Sequence, residues 1–149
     1  MSADARAGLL QVLAARDRFA RGIGAELLPA EDDCVRLRLR VTPAHLNFYG
    51  YCHGGVIFTL ADAAFGLVCN AHGEIAVALD VHIAYSTAAR AGDELTATAR
   101  ELSRTRRTGL YRIEVHNGAG ALVSHFTGTA YRTGKPTLPL PDLPALPDA

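Results

Sequence analysis

The chain has 149 residues, 49% of them hydrophobic and 20% charged, a size and balance that suit one compact domain. Fifteen Lys and Arg offset fifteen Asp and Glu. That balance excludes the broad basic footprint of a nucleic-acid or anionic-membrane binder, and the low charged share leaves surface for partner subunits. Cys34, Cys52 and Cys69 are too few and too widely spaced for a disulfide framework or a zinc motif, and no basic-then-apolar leader opens the chain, so the expected setting is a reducing cytoplasm.

Residues 7–20 read as an amphipathic helix, with Leu9, Leu10, Leu13 and Phe19 inside and Arg6, Arg16, Asp17 and Arg18 outside, ended by Gly22 and Gly24. Residues 34–41 alternate: Val35, Leu37, Leu39 and Val41 share one face and Arg36, Arg38 and Arg40 the other, a half-exposed strand. Residues 42–52, broken by Pro43 and Gly50, read as a loop. Residues 54–72 follow as a helix of about five turns. Its alanines and few β-branched residues favour helix over strand. Its apolar residues (Val56, Ile57, Phe58, Leu60, Phe65, Leu67, Val68) surround it, so burial on most sides is expected. The run is short for a bilayer and carries Asp62 mid-span, so no membrane crossing is expected.

The remainder reads as strands. In residues 75–85, Ile75, Val77, Leu79, Val81, Ile83 and Tyr85 share a face. Residues 95–102 follow the turn at Ala91-Gly92-Asp93, and residues 110–116 and 121–131 are joined by Asn117-Gly118-Ala119-Gly120, a hairpin signal. Residues 95–131 therefore form an antiparallel meander. A long helix without a polar side needs a surface that curves around it, so the expected class is α+β, a twisted antiparallel sheet of about five strands wrapped around one central helix. One domain is expected over residues 1–132. The proline-rich tail, 133–149, is expected to be extended or disordered.

The stretch from His45 to Gly66, HLNFYGYCHGGVIFTLADAAFG, holds the densest set of unusual choices. His53-Gly54-Gly55 opens the long helix. The first N–H groups of a helix lack internal partners and sit at the positive end of its dipole, and glycine lets another group approach them. Such a start can hold a developing oxyanion, or the glycines can simply let the loop turn into the helix. Both readings stand. Asp62 is the only acidic residue in the helix, flanked by Leu60, Ala61, Ala63 and Ala64. Aspartate is a poor helix-interior residue and costly to bury. A structural hydrogen bond is one reading. Its apolar neighbours disfavour a solvent stripe and favour a functional carboxylate, whose pKa desolvation would raise toward the range of a useful base.

Gly54 and Asp62 are eight residues apart, so about 12 Å along the helix. Donor and base must both come within roughly 3 Å of the reacting group, so one helix cannot serve one substrate with both. Two antiparallel copies about a two-fold axis can. If both residues are catalytic, the enzyme is at least a C2 dimer with shared sites. Asn47 either hydrogen-bonds an acyl carbonyl or water, or shapes its own turn. His53 beside glycines is read as structural. Adjacent Cys52 and His53 lack the geometry of a thiol nucleophile and base. Arg104, Arg106 and Arg107, before Thr108-Gly109, could grip phosphates, although a solvated charged turn is the commoner meaning of such a cluster. There is no GxSxG, no Walker loop and no histidine pair at metal spacing.

The same stretch, with LN, then HGG, then LAD, resembles the signature of hotdog thioesterases of the phenylacetate-degradation, PaaI type. The later VHIAYSTAARAGDELTATARE and FTGTAYR are similar to that family too, over residues 25–132. The resemblance implies the hotdog fold and hydrolysis of acyl-CoA, with phenylacetyl and ring-hydroxylated phenylacetyl groups as substrates. It implies Asp62 as nucleophile or general base, the Gly54 N–H as the group polarising the thioester carbonyl, and Asn47 and His53 in the same pocket, with Asp62 supplied across a dimer. Gly55, Phe58 and Phe65 are expected to line the acyl site, and Arg104, Arg106 and Arg107 the phosphate end. Tetramers built as dimers of dimers are implied, with no metal and no cofactor beyond the coenzyme A of the substrate. Phe48-Tyr49-Gly50-Tyr51-Cys52 is richer in aromatics than is usual in the family, which bears on acyl preference. A non-catalytic acyl-CoA-binding module and a hotdog enoyl-CoA hydratase are the competing functions on the same fold. Asp62 argues against the first, and the motif around His53 does not resemble that of the second.

Overall fold

The structure, a computed structural model, describes residues 1–31 and 34–147. Helix α1 (Ala3–Arg16) begins where the Ser2 Oγ accepts the Ala5 N–H at 3.2 Å. It does not run on to residue 20 as its periodicity predicts. Asp17 leaves helical space (φ −75°, ψ 88°), and its carboxylate accepts the Ala20 N–H at 2.9 Å, capping a second helix, α2 (Arg18–Gly22). The elbow turns Phe19 out to 73% exposure, so the apolar side of this segment is Leu9, Leu10, Leu13 and Ala14 without it.

Strand β1 (Glu26–Leu27), too short to show alternation, pairs with β2 (Val35–Arg40). Val35, Leu37 and Leu39 are buried, as is Val41 beyond them, while Arg36 and Arg38 pair with Glu31 and Glu26 on the other face. Helix α3 (Gly54–Asn70) is followed by β3 (Glu74–Tyr85), β4 (Glu94–Arg104), β5 (Thr108–Asn117) and β6 (Leu122–Pro136). The sheet runs β1-β2-β4-β5-β6-β3, antiparallel throughout. The expected meander is β4-β5-β6. β3, though it precedes them in sequence, lies beyond β6 and forms one end of the sheet. At the β5–β6 hairpin the Asn117 Oδ1 accepts the N–H groups of Ala119 and Ala121 at 3.0 and 2.9 Å, and Gly120 takes φ 82°.

The sheet curls around α3, whose Leu60, Ala61 and Ala64 are fully buried. Gly128 of β6 is the notch that admits the helix: a Cβ there would stand 2.8 Å from the Phe65 ring. Phe65 also meets Tyr111 edge-on at 5.5 Å and Phe126 at 5.8 Å. It is a core residue at 2% exposure, not part of an acyl site as its place in the motif suggested.

Helix α3 is not apolar all round. Thr59, Asp62, Gly66 and Asn70 recur every three or four residues as an open stripe, half-buried or exposed, turned away from the sheet. Asn70 ends the helix two residues before the expected stop. Its Nδ2 donates to the carbonyls of Gly66 (2.9 Å) and Ala76 (3.0 Å), and its Oδ1 accepts the Ala76 N–H at 3.0 Å, which fixes the turn into β3.

β3 does not present one face along its length. Its register with β6 slips between Ala78 and Asp80, and a bulge reverses which side chains point inward. Ala76 is buried before it and Val81 and Ile83 pack on the core after it, while Val77 (49% exposed) and Leu79 (61%) stand outside.

The boundary expected at residue 132 is overrun by β6, which continues to Pro136. Thr137 is buried and donates its N–H to the Gly73 carbonyl at 2.9 Å. The extended chain beyond it returns to the N-terminal helices: Arg16 donates to the Pro141 carbonyl, and Arg18 Nη1 to the Pro144 carbonyl at 2.6 Å. Residues 148 and 149 of the expected tail lie outside the described residues. Among the described residues no helix is long and apolar enough to cross a membrane.

Candidate active site

The loop before α3 is closed on itself by Asn47. Its backbone N–H donates to the Tyr51 carbonyl at 2.7 Å, and its Oδ1 accepts the N–H groups of Tyr49 (2.9 Å) and Tyr51 (3.2 Å), while Gly50 takes φ 80°. The Asn47 carbonyl-type oxygen thus shapes its own turn, and only its amide nitrogen is left to meet a ligand. His53 is the N-cap of α3: its Nδ1 accepts the Gly55 N–H at 2.8 Å, which puts the proton of the neutral ring on Nε2. Gly55 is thereby committed to the cap.

The Gly54 N–H meets no acceptor among the described residues. The Tyr85 hydroxyl donates to the Gly54 carbonyl at 3.0 Å, and its ring lies 3.3 Å from where a Gly54 Cβ would stand. Any larger residue would push this ring. The helix start therefore offers one unsatisfied donor at the positive end of the α3 dipole, beside a phenol.

Asp62 lies on the open stripe of α3, toward a cavity of about 560 Å³. The elbow between α1 and α2, the start of β3 at Ile75 and the extended residues 137–141 wall the cavity. Burial, and after it the carboxylate of Asp17, push the Asp62 carboxyl up from its ordinary value, and among the described residues no hydrogen bond or cation offsets them. Such a carboxylate is a strengthened base once ionised.

Asp17 lines the same cavity while capping α2. Sequence placed it on the solvent side of one continuous helix. The cue to its real place was its type, since Asp before a short helical run is an N-cap residue. Asp17→Asn keeps the capping oxygen and removes the like charge. The acidic limb of the kcat/KM profile is then expected to move to lower pH. A limb that stays in place, read from initial rates across the acidic range, would rule out the Asp17–Asp62 coupling.

Other candidates fall elsewhere. Phe58 is half-buried and packs edge-on against Phe126 at 5.6 Å, on the core side of α3. Cys52 is buried and its thiol is pushed up to about 11, mainly by desolvation, so it stays protonated and unreactive at neutral pH. Arg104 ends β4, and Arg106 and Arg107 lie in the turn to β5; all three are exposed. Arg104 pairs with Glu101 at 3.3 Å, and Arg107 donates to the Tyr131 hydroxyl at 2.8 Å. Glu101 also meets His72 just past α3, at 2.9 Å. The arginines therefore sit at the C-terminal end of α3, opposite the Gly54 end of the same chain. Tyr85 and the 137–141 segment were not singled out from sequence. Nothing local marks either one, because each is brought to the site by sheet topology.

Comparison with known proteins agrees with this architecture. The family model described as "Thioesterase superfamily" matches residues 49–124, from the loop through α3 into β6. Acyl-coenzyme A thioesterase PaaI of Escherichia coli (strain K12) is 36% identical over 118 residues, covering 79% of this chain and 84% of its own. The structure of the E. coli PaaI protein from the phenylacetic acid degradation operon superposes with a TM-score of 0.85 at 33% identity, covering 91% of this chain and 99% of that one. The smu.793 protein of Streptococcus mutans UA159, bound to acetyl CoA, superposes with a TM-score of 0.72 at 34% identity, covering 76% of this chain and 91% of that one. A family model matched over half of the chain, a relative at 36% identity and a superposition across nine-tenths of the chain agree with the curled antiparallel sheet around α3, and the chain belongs to the thioesterase superfamily as a hotdog-fold thioesterase of PaaI type.

Proposed function

We propose that this protein hydrolyses aryl-acyl thioesters of coenzyme A, with phenylacetyl and ring-hydroxylated phenylacetyl as the acyl groups, from sites shared across a two-fold dimer. The observation that carries the reading is the Asp62 carboxylate, which faces a largely apolar cavity without a partner among the described residues, on the same helix whose first N–H meets no acceptor among them. The thioester carbonyl accepts the Gly54 N–H of one protomer. Asp62 of the partner subunit takes a proton from water, and the hydroxide adds to the carbonyl carbon. The oxyanion is held at the helix start. Collapse breaks the C–S bond, and the thiolate leaves as coenzyme A once it takes up a proton. The name of the E. coli relative and the acetyl CoA bound to the S. mutans protein support the thioester class.

The sheet supports the dimer. β3 is twelve residues long and has β6 on one side only, with Val77 and Leu79 exposed along it. A long apolar edge is a pairing surface that natural proteins cover. Antiparallel pairing of two β3 strands brings the Gly54 end of one chain to the Ile75 end of the other, where the Asp62 cavity opens. It also brings the β4–β5 turn to the partner's helix start, so Arg104, Arg106 and Arg107 would meet the phosphates of the coenzyme A bound there. Two such dimers form the tetramer.

Release of free thiol from phenylacetyl-CoA, acetyl-CoA and crotonyl-CoA tests the reading. Phenylacetyl-CoA is expected to have the highest kcat/KM. A preference for acetyl-CoA would remove the aryl assignment, and no turnover of any thioester would remove the activity.

A further inference from the structure

The C-terminal proline-rich segment is not required by the hotdog sheet, yet it reaches the Asp62 cavity. After β6 the chain could leave the molecule. Instead, Thr137 is buried under its N–H bond to Gly73, and Pro139, Leu140 and Pro141 run along the mouth of the cavity that holds Asp62. Two cations of the elbow then clasp the segment by its carbonyls, Arg16 at Pro141 and Arg18 at Pro144. Proline suits this use: its ring fixes φ and lowers the entropy lost on ordering, and its carbonyl remains a full acceptor. Leu140 is half-buried although it belongs to no helix or strand.

We infer that residues 137–141 are a fixed wall of the acyl site and that Leu140 is a specificity-determining residue, contacting the distal part of the acyl group. The inference rests on the thioesterase reading and names which part of the chain reads the acyl group. The reacting carbon lies near Asp62, so a two-carbon acyl group ends before the wall. An aryl-acetyl group extends into the cavity, whose 560 Å³ is in the range of sites that enclose such groups. Its ring then packs between Leu140 on one side and Leu13 and Ile75 on the others. Contact made equally in the ground and transition states lowers KM and leaves kcat unchanged. The wall is therefore read in KM, and only for acyl groups long enough to touch it.

Two full-length variants test this against the wild type. Leu140→Gln replaces the apolar wall by a polar, uncharged one, and the double variant Arg16→Ala with Arg18→Ala releases the clasp without altering Leu140. Both are expected to raise KM for phenylacetyl-CoA on the order of tenfold with kcat little changed, and to leave kcat/KM for acetyl-CoA within about twofold, which also reports an intact fold. Equal losses on both substrates, or no loss on either, would overturn the inference while leaving the thioesterase reading in place. A wild type that hydrolyses no thioester would overturn both.

Discussion

Asp62→Asn is expected to lower kcat for thioester hydrolysis roughly a hundredfold or more while leaving KM close to the wild-type value. The amide keeps the shape and much of the polarity of the side chain but cannot take a proton from water. The same substitution is expected to make the protein more stable. The folded chain holds the Asp62 proton more tightly than the unfolded chain does, since burial and Asp17 raise its pKa in the fold alone. The stability contributed by this group is therefore fully present below the unfolded carboxylate range and is lost as pH rises through the raised pKa. At neutral pH the ionised carboxylate is a cost, and its removal should raise the melting temperature by about 2 °C, an effect that disappears in acid. Undiminished kcat in the variant would reject Asp62 as the base. A lower melting temperature at neutral pH would instead mark it as a structural acceptor.

Leu79→Glu is expected to abolish dimers, and most of the activity with them. In an antiparallel pairing of two identical strands the two-fold axis passes near the middle of β3, and Leu79 lies there, 61% exposed in the single chain. The substitution sets two like charges close together across the axis, in a place that pairing would remove from water. Sedimentation is expected to show a monomer whose rate per chain has fallen on the order of a hundredfold, because the oxyanion donor and the base are then on different molecules. A monomeric variant that turns over substrate at the full rate would show that each chain carries a complete site, and the shared arrangement would have to be abandoned.

Several features were legible in the order of residues because they depend on local periodicity or local chemistry. The alternation of Val35, Leu37 and Leu39 specified which face of β2 is buried, and Asn117-Gly118-Ala119-Gly120 specified the β5–β6 hairpin. The glycines at the start of α3 and the carboxylate eight residues later marked the stretch on which the proposed chemistry rests, since both are costly choices in a helix. Phe65 was misassigned because a motif position does not reveal direction: only the notch at Gly128 shows that its ring points into the sheet. Phe19 and Asp17 were misplaced for a related reason, since one backbone deviation at residue 17 rotates all that follows.

The sequence by itself determined the central helix and most of the strands, and marked out Asp62 and Gly54, on which the proposed reaction rests, because spacing and side-chain chemistry are properties of neighbours along the chain. Tertiary structure alone decided that β3 lies at the end of the sheet, that the helix keeps one open stripe, and that an elbow and a proline-rich segment enclose Asp62. Those outcomes depend on pairings between segments far apart in the chain. Their energies come from apolar area buried and charges brought together across the fold, and no local pattern records them.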